Sequence, residues 1–126
     1  MKPFATPRCV VVVDDDPLFA FLVGELVRRV APTTLIYLAY DGHSALRMIY
    51  RYKPDVVYID LRLPELDGKE VLSQVRADPT LTATRIIVCT GYGNLQDEKE
   101  VLALGANAYL VKPVTVADIQ RQVWSF

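Results

Sequence analysis

A doubly wound α/β domain, with helices on both faces of a parallel five-stranded sheet, is the fold class predicted by this 126-residue sequence. Short apolar runs recur at Cys9 to Val13, Leu35 to Ala39, Val56 to Ile59, Ile86 to Cys89 and Tyr109 to Val111, and helical patterns fill the intervals between them. The runs are continuous Val, Ile, Leu and Tyr rather than alternating, as strands covered on both faces require. The length suits one domain that buries roughly two-thirds of the surface of its unfolded chain.

The first strand, Cys9 to Val13, ends in Asp14-Asp15-Asp16-Pro17. Asp16 suits the N-cap of the first helix because its carboxylate can accept an orphan N–H, and Pro17 suits the first helical position, where no N–H is needed. That helix is expected to run to about Val30, with Leu18, Phe21, Leu22 and Leu26 as the apolar stripe that packs on the sheet. Phe19, Val23, Val27 and Val30 lie partly off the stripe, which leaves them for an exposed contact surface or for deeper cover by neighbouring elements. Pro32 falls in the connection to the second strand, Leu35 to Ala39. A second helix opens around Gly42, Ser44 and Ala45, with His43 as a solvated surface residue, and Pro54 precedes the third strand, Val56 to Ile59.

Asp67-Gly68-Lys69-Glu70 reads as a capping box for a third helix, and Pro79 lies in the connection to the fourth strand, Ile86 to Cys89. Asn94, with Asp97 after it, opens a fourth helix that Gly105 ends in a left-handed cap. The fifth strand, Tyr109 to Val111, leads through Lys112-Pro113 to a short last helix, Thr115 to Phe126. In it Val116, Ile119 and Val123 are expected to face inward, with Trp124 and Phe126 partly exposed. The residues before about Pro7 read as a loosely ordered leader.

Composition narrows the function classes. With 52% apolar residues, 23% charged residues and a net charge of −1, there is no basic excess to attract nucleic acid or anionic lipid. No apolar run approaches the roughly 18 residues of a membrane span, and the N-terminus lacks the apolar core of a signal peptide. The chain therefore reads as cytoplasmic, with neither membrane nor nucleic acid as a direct partner. Cys9 and Cys89 sit inside strand patterns, outside any C-x-x-C spacing, and read as buried structural thiols rather than redox or metal groups.

The chemistry-bearing residues fall at strand ends, where active sites sit in an open parallel sheet. Asp60 closes the third strand; Asp14, Asp15 and Asp16 follow the first, Thr90 the fourth and Lys112-Pro113 the fifth. Two or three carboxylates in one place are costly unless one is protonated or a cation binds, and oxygen-only ligands favour Mg2+. With its charge screened, a carboxylate can attack phosphorus, a step that needs mainly positioning and neutralisation. Lys112 offers a second cation on a long stem, the Thr90 hydroxyl can donate to a phosphoryl oxygen, and Gly91 leaves room for that group. Pro113 fixes the turn beside Lys112, with a cis peptide as one option. Each piece alone is common in unrelated domains; their coincidence, in strand order, carries the signal.

The elements Val-Val-Val-Asp14-Asp15-Asp16-Pro, Asp60-Leu-Arg-Leu-Pro64-Glu-Leu-Asp-Gly68, Val-Cys-Thr90-Gly91 and Gly105-Ala-Asn-Ala-Tyr109-Leu-Val-Lys112-Pro113 resemble the receiver domains of two-component response regulators over nearly the whole chain. The resemblance implies a single-domain (βα)5 flavodoxin-like fold with strand order 2-1-3-4-5. It implies that Asp60 accepts a phosphoryl group from a histidine kinase or histidine phosphotransfer protein. Asp15 would bind Mg2+ directly, Asp14 largely through metal-bound water, and the backbone carbonyl of Arg62 would add a ligand. Thr90 and Tyr109 would form a switch pair that changes the face made by the fourth helix, last strand and fifth helix. Arg62 and Tyr92 occupy positions that influence how long the phosphoryl group survives; both are bulky, which leads to an expectation of slow self-dephosphorylation. No output domain follows the last helix, so the expectation is either a stand-alone receiver that signals by protein contact, with dimerisation on phosphorylation as one mode, or the receiver of a longer regulator or hybrid kinase.

Three rival readings compete with this one. A phosphohydrolase with an aspartyl-phosphate intermediate, like the haloacid dehalogenases, wants a second Asp where Arg62 stands. A pseudo-receiver would lack some of the chemical residues, all of which are present. A nucleotide-binding domain would need a glycine-rich loop after the first strand, and none is there.

Overall fold

The computed structural model describes residues 6–124. The chain runs β1 (Cys9–Val13), α1 (Pro17–Val30), β2 (Leu35–Ala39), α2 (Gly42–Tyr52), β3 (Val56–Ile59), α3 (Gly68–Ala77), a short 3-10 turn (Pro79–Leu81), β4 (Arg85–Thr90), α4 (Leu95–Ala103), β5 (Ala108–Val111) and α5 (Val116–Trp124). All strand pairs are parallel and the sheet order is β2-β1-β3-β4-β5, as expected. In this order the chain leaves β1 for one edge and then crosses back to β3, so a crevice opens beyond the carboxyl ends of β1 and β3.

Strand periodicity divides the core between the two faces of the sheet. Val11, Val13, Val57, Ile59, Ile86 and Val88 pack with Ile49, Leu72, Val75 and Val101 on the α2–α3–α4 side. Val10, Val12, Tyr58, Ile87 and Cys89 pack with Ala20, Val23, Val27 and Ile119 on the α1–α5 side. Each fully buried Val, Ile or Leu contributes about 1.5–3 kcal/mol relative to exposure, so both faces anchor the strands whose ends carry the site.

The caps form as the sequence suggests. Asp16 accepts the Leu18 N–H, Asp67 the Glu70 N–H and Asn94 the Asp97 N–H, while Gly105 takes φ +110° after α4. The face that α1 turns to the sheet is the reverse of the expected one. Ala20, Val23, Gly24 and Val27 are buried, whereas Leu18, Phe21 and Leu22 are 65%, 52% and 49% exposed. The reason is size: a Cβ on Gly24 would already lie 3.5 Å from Ile36 and 3.6 Å from Leu38, so the helix lies too close to β2 for Leu or Phe on that side. Leu26, Phe19 and Val30 are half-buried at the flanks.

Two further placements concern the chain ends. Pro7 is buried and its carbonyl accepts the Thr34 hydroxyl at 2.6 Å; residues 1–5 of the expected leader lie outside the described residues, as do the side chains of Val123 and Trp124 and all of Phe126. Ile119 is buried as expected, and Val116 is half-buried. Arg76, which has no signature in the sequence, ties the end of α3 to the loops around it. Its guanidinium donates to the carbonyls of Gly105, Leu81 and Thr84 and to Asn107 Oδ1, at 2.8, 3.1, 2.7 and 2.9 Å.

Candidate functional site

The loop after β1 turns sharply because Asp14 Oδ1 accepts the Asp16 N–H at 2.9 Å, which holds the Asp14 carboxylate over the crevice. The loop after β3 turns in the same way, with Asp60 Oδ1 accepting the Arg62 N–H at 3.1 Å. This second loop then folds back on its own strand: the Gly68 N–H donates to Leu61 O at 2.9 Å, and Glu65 adopts φ +66° in a tight turn whose Leu66 N–H reaches Pro64 O at 2.7 Å. Glycine is required where backbones meet. A Cβ on Gly68 would lie 2.4 Å from Asp60 O, and one on Gly42 would lie 2.1 Å from Leu66 O.

The structure brings the expected groups together. Asp14, Asp15 and Asp60 each offer a carboxylate oxygen, and these oxygens lie within 4.8 Å of one another, with Asp14 and Asp60 buried and Asp15 exposed. Lys112 Nζ reaches in from the end of β5 to lie 2.8 Å from Asp14 Oδ2 and 2.9 Å from Asp60 Oδ2. Asp14 Oδ2 has no aligned hydrogen bond, so its burial is compensated by charge alone. Desolvation pushes the Asp14 carboxyl above its ordinary range, against the lowering pull of Lys112 and the Asp16 N–H. Burial would lower Lys112, but the two carboxylates outweigh it and hold the ammonium above its usual value. An oxygen-only donor set of two buried carboxylates and one exposed one fits a hard divalent cation.

Lys112 is fixed through its own strand end, where its N–H donates to Thr90 O at 2.8 Å, and the Lys112-Pro113 peptide is cis. Thr90 is buried, and its Oγ1 accepts the Tyr92 N–H at 3.3 Å. A Cβ on Gly91 would meet nothing closer than Lys112 Cδ at 4.0 Å, so open space flanks the ammonium there. Tyr109 is half-buried against the α2–α3–α4 side, and its hydroxyl accepts the Asn94 N–H at 3.2 Å, at the start of α4. Arg62 and Tyr92 meet across the two loops, with the guanidinium carbon 4.8 Å from the ring centroid. Lys69 joins α3 to α4 through Asp97 and Glu100, at 3.1 and 2.8 Å.

Sequence reasoning missed two features near the crevice. One is the backbone contact of Gly68, which the capping pattern alone does not reveal although a glycine in a first helical turn is a signal of close approach. The other is Phe19, whose ring centroid lies 4.1 Å from Lys112 Nζ and for which the sequence carried no signal. Cys89 is buried and Cys9 half-buried; both are free, and burial pushes both thiols up, so neither is a reactive thiolate. His43 is exposed.

No helix among the described residues is long and apolar enough to cross a membrane. The probable methanogenesis regulatory protein FilR2 of Methanothrix harundinacea is 32% identical over 123 residues, covering 93% of this chain and 79% of that protein. The probable transcriptional regulator ycf27 of Guillardia theta is 31% identical over 124 residues, and there the match covers 94% of this chain but only 44% of the relative. Among solved structures, the Mn2+-bound form of the response regulator Rcp1 is similar with a TM-score of 0.76 and 26% identity, covering 94% of this chain and 91% of that one. A sequence model of the family described as the response regulator receiver domain matches residues 10–123. With its strand order, its strand-end residues and this match in agreement, the chain belongs to the response regulator receiver domains of two-component signalling.

Proposed function

We propose that Asp60 is the phosphoacceptor of this receiver, loaded by a histidine kinase or histidine phosphotransfer protein, with Mg2+ held by Asp14, Asp15, Asp60 and the Arg62 carbonyl. The observation that carries this reading is the placement of Asp60: buried at the end of β3, within reach of two other carboxylates and 2.9 Å from Lys112 Nζ. In the transfer, an Asp60 carboxylate oxygen forms a bond to phosphorus as the phosphorus–nitrogen bond to the donor imidazole breaks, and the imidazole leaves with a proton. Mg2+, when bound, supplies neutralisation of the carboxylates and phosphoryl oxygens. The Mn2+ in the similar Rcp1 supports a divalent ion in this role.

Lys112 is already held between Asp14 and Asp60, so it can turn to a phosphoryl oxygen with little movement. The Thr90 hydroxyl accepts from Tyr92, which leaves its own proton for the phosphoryl group. Gly91 and Pro113 shape the space and the turn beside Lys112. Thr90 and Tyr109 act as the switch pair. Tyr109 is tied to the first residue of the α4 cap, and α4 buries only Val101 among its described residues, so few contacts oppose a shift of that helix. Phosphorylation biases this two-state element and changes what the α4–β5–α5 face binds.

The domain is a signalling module rather than an enzyme with turnover on other substrates; it catalyses only its own phosphorylation and dephosphorylation, in the cytoplasm. The exposed Leu18, Phe21 and Leu22 of α1 offer an apolar contact for the phosphodonor beside Asp15 and Asp16. A downstream protein, an output domain of a longer chain or a second copy of the receiver reads the phosphorylated state.

The test is intact mass after incubation with Mg2+ and acetyl phosphate. Addition of one phosphoryl group, absent in Asp60→Asn and in a sample treated with EDTA, is expected. No addition to the folded wild type, together with failure to bind beryllofluoride, would overturn the proposal in favour of a pseudo-receiver.

A further inference from the structure

Phe19 lies in the first turn of α1, half-buried against the α1–α5 side of the core with Leu110 and Val114, and its ring centroid is 4.1 Å from Lys112 Nζ. The ammonium thus has three neighbours: Asp14 Oδ2 at 2.8 Å, Asp60 Oδ2 at 2.9 Å and the aromatic ring. We propose that Phe19 is a positioning residue for Lys112, its ring holding the ammonium at the crevice while the carboxylate partners change. The inference rests on the reading of Asp60 as phosphoacceptor.

The other two contacts do not survive loading of the site unchanged. When Asp60 becomes an acyl phosphate its negative charge passes from the carboxylate oxygens to the phosphoryl oxygens, so the ammonium must shift toward them, and when a divalent cation binds, Asp14 is drawn to it. Both carboxylate contacts that hold Lys112 therefore change as the site loads. A lysine stem has four rotatable carbons and loses its position readily when its partners go. The ring attracts the cation through its quadrupole and accepts no directional hydrogen bond, so all three N–H groups stay available for phosphoryl oxygens. An aliphatic side chain would fill the same space without the attraction. The Asp16 cap and Pro17 hold the first turn of α1, and with it the ring, at a fixed distance from the end of β5.

The test replaces Phe19 with 3,5-difluoro- and 3,4,5-trifluorophenylalanine, which drain the ring's negative face with little change in size, alongside Phe19→Leu and Phe19→Tyr. Phosphorylation rate with acetyl phosphate is read by intact mass, and Lys112 placement by the ring-current shift of its ε-methylene protons. A graded loss with fluorination is expected, reaching roughly 5- to 20-fold in Phe19→Leu, with Phe19→Tyr near wild type and the fluorinated proteins melting like wild type. Fluorinated proteins at the wild-type rate, with only Phe19→Leu slow, would overturn the proposal and leave Phe19 a packing residue. A wild type that never phosphorylates would instead overturn the Asp60 reading, and the role of Phe19 with it.

Discussion

Gly68→Ala should damage both the fold and the site, although alanine is the better helix former. The new Cβ would stand 2.4 Å from Asp60 O and 2.7 Å from Leu61 Cα. Both neighbours are backbone, so relief requires α3 and the β3–α3 loop to separate by about 0.5–1 Å, and forced overpacking of this kind costs about 1–3 kcal/mol. The Gly68 N–H bond to Leu61 O, 2.9 Å long, is stretched by the same movement, at a further cost of about 1 kcal/mol. Better helix propensity at the first helical position returns only part of this, leaving a net loss of about 2–3 kcal/mol, or roughly 6–15 °C in Tm for a domain of this size. Misplacing the Asp60 backbone by a comparable distance should slow phosphorylation by up to about 100-fold. Gly24→Ala is the control, since its Cβ would make ordinary contacts at 3.5 and 3.6 Å, and it should stabilise by about 0.5–1 kcal/mol. Urea unfolding of both variants, with acetyl phosphate kinetics, is the assay. A Gly68→Ala protein within about 0.5 kcal/mol of wild type, inside the usual range for surface changes, would refute the reasoning.

Other substitutions probe single features. A carboxyl held above its ordinary value in the folded state stabilises the fold at low pH and loses that contribution as pH rises through the raised value, so Asp14→Asn should raise the Tm of the metal-free protein at neutral pH. The gain should shrink as pH falls through the carboxylate range, and the rise in Tm that Mg2+ is expected to give the wild type should be absent from the variant; melts across pH with and without Mg2+ check both. Arg62 and Tyr92 stack across the loops beside Asp60, so the Arg62→Ala, Tyr92→Ala double variant should lose its phosphoryl group faster than wild type, and equal decay rates would dispose of the shielding idea. The Tyr58 hydroxyl is buried without a hydrogen-bond partner, so Tyr58→Phe should be neutral or stabilising by up to about 1 kcal/mol in chemical denaturation. A loss of stability there would point to a partner for the hydroxyl.

The parts of this molecule that were legible in its sequence are those set by local chemistry. Asp16, Asp67 and Asn94 announce helix starts because a short acceptor side chain has few better uses there, and each does accept a helix N–H. Asp14, Asp60, Thr90 and Lys112 could be placed together because a parallel sheet brings the ends of all its strands to one edge. What depended on the distance between elements was not legible. Hydrophobicity alone favoured Leu18, Phe21 and Leu22 for the buried face of α1, but the close approach at Gly24 selects small and β-branched residues instead. Arg76 binds carbonyls from two separate connections, α3–β4 and α4–β5, and the Phe19 ring meets a lysine from the far end of the chain; neither partner set has any local signature.

The central claim is that Asp60 itself carries the phosphoryl group, and reduction of the acetyl-phosphate-treated protein with borohydride, followed by peptide mass mapping, tests it most directly. An acyl phosphate on Asp60 should appear as homoserine at that position alone and only when Mg2+ was present. Homoserine at Asp14 or Asp15, or a phosphoryl group resistant to reduction and carried on Thr90, would contradict the account.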